Sequence, residues 1–291
     1  MKPFKILITG AGGMLATALE SILKPEFDVT ALTEHQLDIT RKDFVKKTIN
    51  DIKPDVVINA AAYTAVDKCE EEQELAKLIN GIAVGYLADA VESVDARLIH
   101  ISTDYIFDGE KDGPYNEDDR PNPISVYGLS KLMGEQEIFK FTKNYIIIRT
   151  QWLYGENGRN FVNTILELAQ KNSELKVVDD QYGSPTYTKD LALIIKWFVE
   201  HQEIISRIFN FSNEGIVSWF GFAREILKLA GLKTKIIPVD SSAVSRPARR
   251  PHNSALDKTA IKQITNLDIR PWYDALYEYM NNIRAIKKFM G

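Results

Sequence analysis

Tyr127 and Lys131 stand four residues apart in the segment 125–131. Residues with this spacing share one face of a helix, so a phenol and an ammonium would lie side by side. A neighbouring cation stabilises tyrosinate and lowers the pKa of tyrosine from about 10, which predicts an acid/base pair. The same spacing also arises by chance on many helices. Other motifs in the chain must therefore indicate whether the pair lies beside a cofactor or substrate.

The elements that would position this pair are indicated by five short apolar segments in the first half of the chain. Runs that are apolar on both faces are typical of buried parallel strands, and the amphipathic segments between them of crossover helices. This alternation predicts an α/β fold with a doubly wound parallel sheet of the Rossmann type. The apolar segments are residues 5–9, 27–32, 55–59, 97–102 and 145–149.

A glycine-rich segment, residues 10–16, follows the first apolar run, and residues 17–23 have the pattern of a helix. Gly10 and Gly13 allow a tight turn and a close backbone approach to a diphosphate, and Met14 and Leu15 complete the turn. The N–H groups at the start of the helix would face the anion. The order of strand, glycine turn and helix therefore predicts a dinucleotide site, which places a nicotinamide beside Tyr127.

The residues after the second apolar run bear on the choice of dinucleotide. Glu34 could accept hydrogen bonds from the adenosine ribose, which favours NADH over NADPH, whereas a 2′-phosphate calls for a cation. Arg41 and Lys42 are close enough in sequence to supply one, so both cofactors stay open. Asp38 and Ile39 are assigned to the adenine, since they offer a carboxylate and backbone groups at the edge of the sheet.

The alternation of apolar and amphipathic segments loosens after about residue 150. We expect residues 1–150 to form the dinucleotide-binding domain, completed at the edge of its sheet by about residues 188–212. Residues 151–187 and 213–291 would form a smaller C-terminal lobe that binds the substrate.

Composition excludes several classes of protein. The 291 residues carry 36 Lys and Arg against 40 Asp and Glu, so no global positive field exists to bind nucleic acid or an anionic membrane. Cys69 is the only cysteine, which excludes an intramolecular disulfide and is typical of a reducing compartment. No apolar run approaches the ~20 residues of a membrane span and no signal-peptide pattern occurs, so a cytoplasmic location is expected.

Eight segments, in order along the chain, resemble the extended short-chain dehydrogenase/reductases, and within that family the dTDP-4-dehydrorhamnose reductases. Their number and order make the resemblance specific, and it extends over most of the chain. The segments are residues 10–13, 37–40, 59–67, 102–109, 127–131, 149–155, 180–186 and 250–254.

The resemblance implies reduction of the C4 ketone of dTDP-4-dehydro-L-rhamnose to dTDP-L-rhamnose by NADH or NADPH. In that reaction Tyr127 would donate a proton to the carbonyl oxygen, Thr103 would hydrogen-bond the same oxygen, and Lys131 would also hold the nicotinamide ribose. Three further cofactor contacts are implied by the segment 59–67, namely Ala61, Ala62 and Tyr63.

Other residues are assigned to the substrate by the same resemblance. Asp104 would contact a sugar hydroxyl, Trp152 would flank the sugar, Asn160 would shape the nucleotide pocket, and Arg250 would bind the diphosphate. Asn160 is equally well interpreted as a helix cap. The related nucleotide-sugar 4,6-dehydratases carry a glutamate in the place of Tyr105, which argues against dehydration.

Several alternatives remain. The chain could act on another nucleotide-linked keto sugar as a reductase or epimerase, or it could be a non-catalytic dinucleotide-binding regulatory subunit. No metal is expected, because the metal-binding glutamate that some of these reductases carry on the first helix is missing from residues 17–19. A monomer or weak homodimer follows from that. The four histidines are interpreted as ordinary residues. Asn80, on a helix predicted over residues 76–91, is interpreted as either a relay group or a packing amide.

Overall fold

The computed structural model describes the backbone of residues 4–290 and the side chains of residues 4–283. This part of the chain forms twelve strands: β1 (Lys5–Thr9), β2 (Asp28–Leu32), β3 (Val56–Asn59), β4 (Arg97–Thr103), β5 (Tyr145–Thr150), β6 (Leu153–Tyr154), β7 (Glu174–Val178), β8 (Tyr182–Gly183), β9 (Thr186–Tyr187), β10 (Arg207–Phe211), β11 (Val217–Ser218) and β12 (Lys235–Val239). It also forms eleven α-helices: α1 (Met14–Leu23), α2 (Lys42–Ile52), α3 (Val66–Glu71), α4 (Gln73–Lys77), α5 (Ala83–Glu92), α6 (Val126–Phe141), α7 (Phe161–Lys171), α8 (Thr188–Glu200), α9 (Trp219–Ala230), α10 (Thr259–Thr265) and α11 (Trp272–Met290).

Six parallel strands form the central sheet of residues 4–290, in the order β10-β5-β4-β3-β1-β2. Side chains alternate between its two faces: Ile6 and Ile8 pack with helices α1 and α8, whereas Leu7 packs with α2 and α5. Helices cover both faces, which confirms the predicted doubly wound α/β fold. The strand order reverses between β1 and β3, and ligands of such sheets bind outside the carboxyl ends of the strands at that point.

Residues beyond β5 form shorter elements. Strand β10 returns to the edge of the main sheet beside β5, and three two-stranded pairs, β6 with β9, β7 with β12 and β8 with β11, lie in the rest of the described chain. They pack with α7, α9 and α11 around a separate apolar cluster. The division into two domains remains a prediction. Within residues 4–290, each helix is too short or too polar to cross a lipid bilayer.

Two helix boundaries differ from those predicted. Helix α1 begins at Met14 instead of residue 17, because Gly13 already has the extended conformation of an N-cap. The helix expected over residues 76–91 is interrupted by a π-helical turn, Leu78–Ile82, between α4 and α5. The turn lies against α6, where a Cβ on Gly81 would approach the sulfur of Met133 to 2.7 Å. Helix propensity alone does not contain this packing constraint, and such turns often occur at functional sites.

Candidate active site

A cavity of about 910 Å³ opens at the carboxyl ends of β1, β3, β4 and β5. This is the edge at which the strand order predicts a ligand. The cavity is lined by all three predicted catalytic residues and all the predicted cofactor residues. Of the four further residues assigned to the substrate, it is lined by Asp104 and Trp152. Residues spread over nearly 150 positions of the chain are therefore brought to one site.

The glycine turn forms the floor of the cavity at its cofactor end. Gly10 has φ +74°, and a Cβ there would lie 2.8 Å from the backbone N of Ala61, so a side chain would push the turn away from β3. Gly12 also has a positive φ, whereas Gly13 is the N-cap of α1. No side chain caps this helix, and Met14 and Leu15 of its first turn line the cavity. The arrangement fits a diphosphate held by backbone N–H groups.

The adenosine end is formed by the residues that follow β2. Glu34, Asp38 and Ile39 line the cavity, and one carboxylate oxygen of Asp38 accepts hydrogen bonds from the N and the hydroxyl of Thr40, at 3.0 and 2.6 Å. The two cationic side chains that follow in sequence do not line the cavity. Arg41 lies over the ring of Phe44, and Lys42 pairs with Asp89 on α5.

The loop after β3 brings Ala61, Ala62 and Tyr63 to the cavity. Asn80, in the π-helical turn, holds this loop: its side-chain oxygen accepts from the N of Tyr63 at 2.8 Å, and its NH₂ donates to the carbonyl of Tyr63 and to Ser130, both at 3.0 Å. Because these bonds occupy its amide, the structure favours the packing interpretation of Asn80 over the relay.

The three predicted catalytic residues are positioned by β4 and α6. Thr103 is the last residue of β4, and the hydroxyl of Ser125 caps α6 just before Tyr127. Gly128 lets this helix approach the turn after β4, because a Cβ there would collide with the carbonyl oxygen of Tyr105. The ring of Tyr127 packs edge-on against that of Tyr105, with centroids 5.5 Å apart.

The expected lowering of the tyrosine pKa by Lys131 is not found. Burial of the phenol deep in the cavity raises the pKa of Tyr127 well above its usual value, and a hydrogen bond with Thr103 offsets only part of this. The ammonium nitrogen of Lys131 instead bonds the carbonyl of Ile101 at 2.6 Å and lies 3.2 Å from the Nε2 of His100. Burial lowers the pKa of Lys131 to about 8, although Glu135 acts in the opposite direction.

Asp104 is a carboxyl group of the site whose pKa is raised. Its side chain is buried, and burial raises its pKa to about 7, although hydrogen bonds from Thr103 and other groups act against this. The hydroxyl of Thr103 donates to it at 2.9 Å. A carboxyl group donates a hydrogen bond when it is protonated and accepts one when it is ionised, and the raised pKa favours the protonated form of Asp104.

An aromatic pair bounds the other end of the cavity. Trp152 has φ +48° and stacks on Trp219, with centroids 3.5 Å apart and planes 11° from parallel. Both indoles line the cavity. The sequence carries no signal that joins Trp219 to Trp152, because Trp219 lies 67 positions away, at the start of α9.

Asn160 and Arg250 do not line this cavity. Asn160 caps α7 by accepting from the N of Asn163 at 3.0 Å, as the alternative interpretation expected. The guanidinium of Arg250 forms a bidentate ion pair with Asp67, at 3.0 and 2.8 Å. It also interacts with the hydroxyl of Tyr105, a residue that lines the cavity. Their roles in substrate binding remain predictions.

A buried ion pair fixes α6 on the sheet. Arg149 on β5 donates to both carboxylate oxygens of Glu135 on α6, at 3.0 and 2.8 Å, and the hydroxyl of Ser102 on β4 bonds the same carboxylate. The two charged side chains are 3% and 1% exposed. Because Glu135 follows Lys131 by one helical turn, the pair sets the position of the helix face that carries Tyr127 and Lys131. Within residues 4–290, His, Cys, Asp and Glu form no group that could hold a metal ion.

Comparison with known proteins agrees with this geometry. Residues 4–285 match the model of the family described as RmlD substrate binding domain. The chain is 43% identical to the spore coat polysaccharide biosynthesis protein SpsK of Bacillus subtilis, over 95% of this chain and 96% of the relative. It is 40% identical to dTDP-4-dehydrorhamnose reductase of Aggregatibacter actinomycetemcomitans, over 97% and 98% of the two chains.

A solved structure gives the same result. The dTDP-4-dehydrorhamnose reductase of Bacillus anthracis, in complex with NADP, superposes with a TM-score of 0.93 at 37% identity, over 97% of this chain and 100% of that one. The matches in sequence and structure extend over nearly the full length of both partners. The chain therefore belongs to the RmlD substrate binding domain family, among whose members are the dTDP-4-dehydrorhamnose reductases.

Proposed function

We propose that this protein reduces the C4 ketone of dTDP-4-dehydro-L-rhamnose to dTDP-L-rhamnose with a nicotinamide cofactor. The observation that carries the proposal is the single cavity in which a diphosphate-binding turn lies together with Thr103, Tyr127 and Lys131. The family relatives named for this reaction support the choice of substrate.

The residues divide the chemistry as follows. NADH or NADPH, when bound, supplies the hydride to the carbonyl carbon. The phenol of Tyr127, kept protonated by its raised pKa, donates a proton to the oxygen on which charge develops, while the hydroxyl of Thr103 hydrogen-bonds it. Lys131 holds the nicotinamide ribose and stands one helical turn from Tyr127 on the same face, where it can restore the proton.

The substrate side uses the opposite end of the cavity. Asp104 contacts a sugar hydroxyl, and Trp152, stabilised by its stack on Trp219, flanks the sugar. Arg250 binds the diphosphate from beside Tyr105, and its guanidinium is held there by Asp67. Asn160 acts on the pocket through the start of α7, which it caps. Residues 151–187 and 213–291 make up this nucleotide-sugar-binding lobe.

The test is cofactor oxidation by the purified protein with dTDP-4-dehydro-L-rhamnose, made in the same vessel from dTDP-glucose by a 4,6-dehydratase and a 3,5-epimerase. We expect loss of the reduced nicotinamide absorbance and formation of one dTDP-6-deoxysugar, identified by NMR. Absence of oxidation with both cofactors would contradict the proposal and favour the regulatory-subunit alternative. Competition titrations with dTDP and UDP would separate this substrate from other nucleotide-linked keto sugars.

NADH is the proposed physiological cofactor, because Glu34 lines the adenosine end and neither Arg41 nor Lys42 does. Glu34→Arg should move the ratio of kcat/KM values for NADPH and NADH about 10- to 100-fold toward NADPH, the size of a charge-assisted hydrogen bond. Asp28→Arg makes the same charge change at the exposed, opposite end of β2 and should leave the ratio unchanged. A strong preference of the wild type for NADPH would contradict the role given to Glu34. The oligomeric state and cytoplasmic location stay predictions.

A further inference from the structure

Three polar side chains cross the central sheet beneath the cavity in one row. Thr9 on β1 is the register partner of Asn59 on β3, which is in turn the register partner of His100 on β4. All three are at most 1% exposed. The row ends at Lys131, whose Nζ lies 3.2 Å from the Nε2 of His100. Buried polar groups in an otherwise apolar sheet are costly unless each is paired, so their hydrogen bonds can be assigned one by one.

The orientation of the Asn59 amide follows from its backbone neighbour. The N–H of Ala61 can only donate, and it lies 3.2 Å from one side-chain atom of Asn59, which must therefore be the oxygen. The hydroxyl of Thr9 donates to the same oxygen at 2.6 Å. The NH₂ of Asn59 is left facing the Nδ1 of His100 at 3.0 Å, so this ring nitrogen accepts a hydrogen bond.

The protonation of His100 is then determined. Burial, with a contribution from Lys131, holds its pKa well below the usual 6.5, so the ring is neutral and carries one proton. Because Nδ1 accepts, that proton is on Nε2 and points at Lys131. An ammonium has three donors and no acceptor, whereas an uncharged amine has a lone pair that can receive the Nε2–H. The amine can still donate to the carbonyl of Ile101 at 2.6 Å.

We propose that His100 is a positioning residue that stabilises the uncharged amine of Lys131 and so helps Lys131 to pass its proton to Tyr127. The inference rests on the proposed function. After Tyr127 has given its proton to the substrate oxygen, an N–H bond of the Lys131 ammonium breaks and an O–H bond of Tyr127 forms. The neutral amine that remains accepts the hydrogen bond of His100 and later regains a proton from solvent.

The surroundings of Lys131 are consistent with this role. Glu135, one turn along α6, favours the ammonium, but its carboxylate is shared with Arg149. The pKa of Tyr127 is raised by burial and by two residues that follow β4, Asp104 and Tyr105. These groups therefore favour the protonated phenol, so that the tyrosinate, once formed, takes up a proton from a nearby donor.

His100→Gln tests the proposal, because glutamine can turn its carbonyl oxygen toward Lys131 and accept from the ammonium. We expect the alkaline limb of the kcat–pH profile, which follows loss of the Lys131 proton, to move up by about one pH unit, a tenfold change in proton affinity. The KM for the keto sugar should stay within about twofold. His201→Gln, at the end of α8, is the matched control. A uniform fall in kcat with no movement of the limb would show a merely structural role and overturn the proposal.

A second measurement does not depend on turnover. In ¹⁵N NMR spectra of the unliganded wild type, His100 should show a protonated Nε2 and an unprotonated Nδ1, with its signals assigned by their loss in His100→Gln. In Asn59→Asp, whose carboxylate can only accept, the proton should move to Nδ1. Protonated Nδ1 in the wild type would overturn the proposal. A protein with the expected tautomer that does not oxidise either cofactor would instead contradict the proposed function alone.

Discussion

Replacement of Tyr127 by phenylalanine should lower kcat for reduction of the keto sugar by about 10²- to 10⁴-fold, the usual contribution of a general acid. The change removes the hydroxyl group that we propose as the proton donor to the carbonyl oxygen and leaves the edge-on packing against Tyr105 intact. The KM for cofactor and substrate should change little, because the proton is transferred only in the transition state. Initial rates at saturating cofactor measure the effect.

A matched control for this variant is Tyr145→Phe, at the start of β5, where the ring packs against Phe139 outside the cavity. It removes a phenol from the central sheet, away from the cavity, and should leave kcat unchanged. Equal turnover by Tyr127→Phe and the wild type would exclude Tyr127 as the acid. Asp104 would then be the candidate acid, since its pKa of about 7 also suits proton donation.

The second large effect is on stability. Glu135→Leu should lower the free energy of unfolding by about 3–5 kcal/mol, because it leaves the guanidinium of Arg149 buried without its carboxylate. The double variant Glu135→Leu/Arg149→Met removes both charges and should recover most of this loss. Urea denaturation monitored by tryptophan fluorescence measures both changes.

A surface pair provides the comparison. Lys47 and Asp51 on α2 form an ion pair with the i, i+4 spacing, but both side chains are more than half exposed. Asp51→Ala should therefore change the free energy of unfolding by less than about 1 kcal/mol. If Glu135→Leu were no more destabilising than this variant, the buried pair would not fix α6 on the sheet.

Much of the fold could be predicted because its signals are local. Apolar runs of strand length, and the glycine turn after the first of them, depend only on neighbouring residues. The interrupted helix around Asn80 could not be predicted in this way. Its π-helical turn arises from the packing of Gly81 against Met133 and from the bonds of Asn80 to Tyr63, all of which join distant parts of the chain.

The candidate site divides in the same manner. Residue types and spacing by themselves indicated the pairing of Tyr127 with Lys131 and the glycine turn after β1, because each motif is continuous in sequence. Thr103 was implied by the family resemblance. Only the tertiary structure decided their chemical state. Burial raises the pKa of Tyr127, whereas the spacing predicted that Lys131 would lower it. The Nζ of Lys131 instead contacts His100 and the carbonyl of Ile101. Desolvation and hydrogen bonding depend on which strands and helices meet, and a linear pattern does not contain that information.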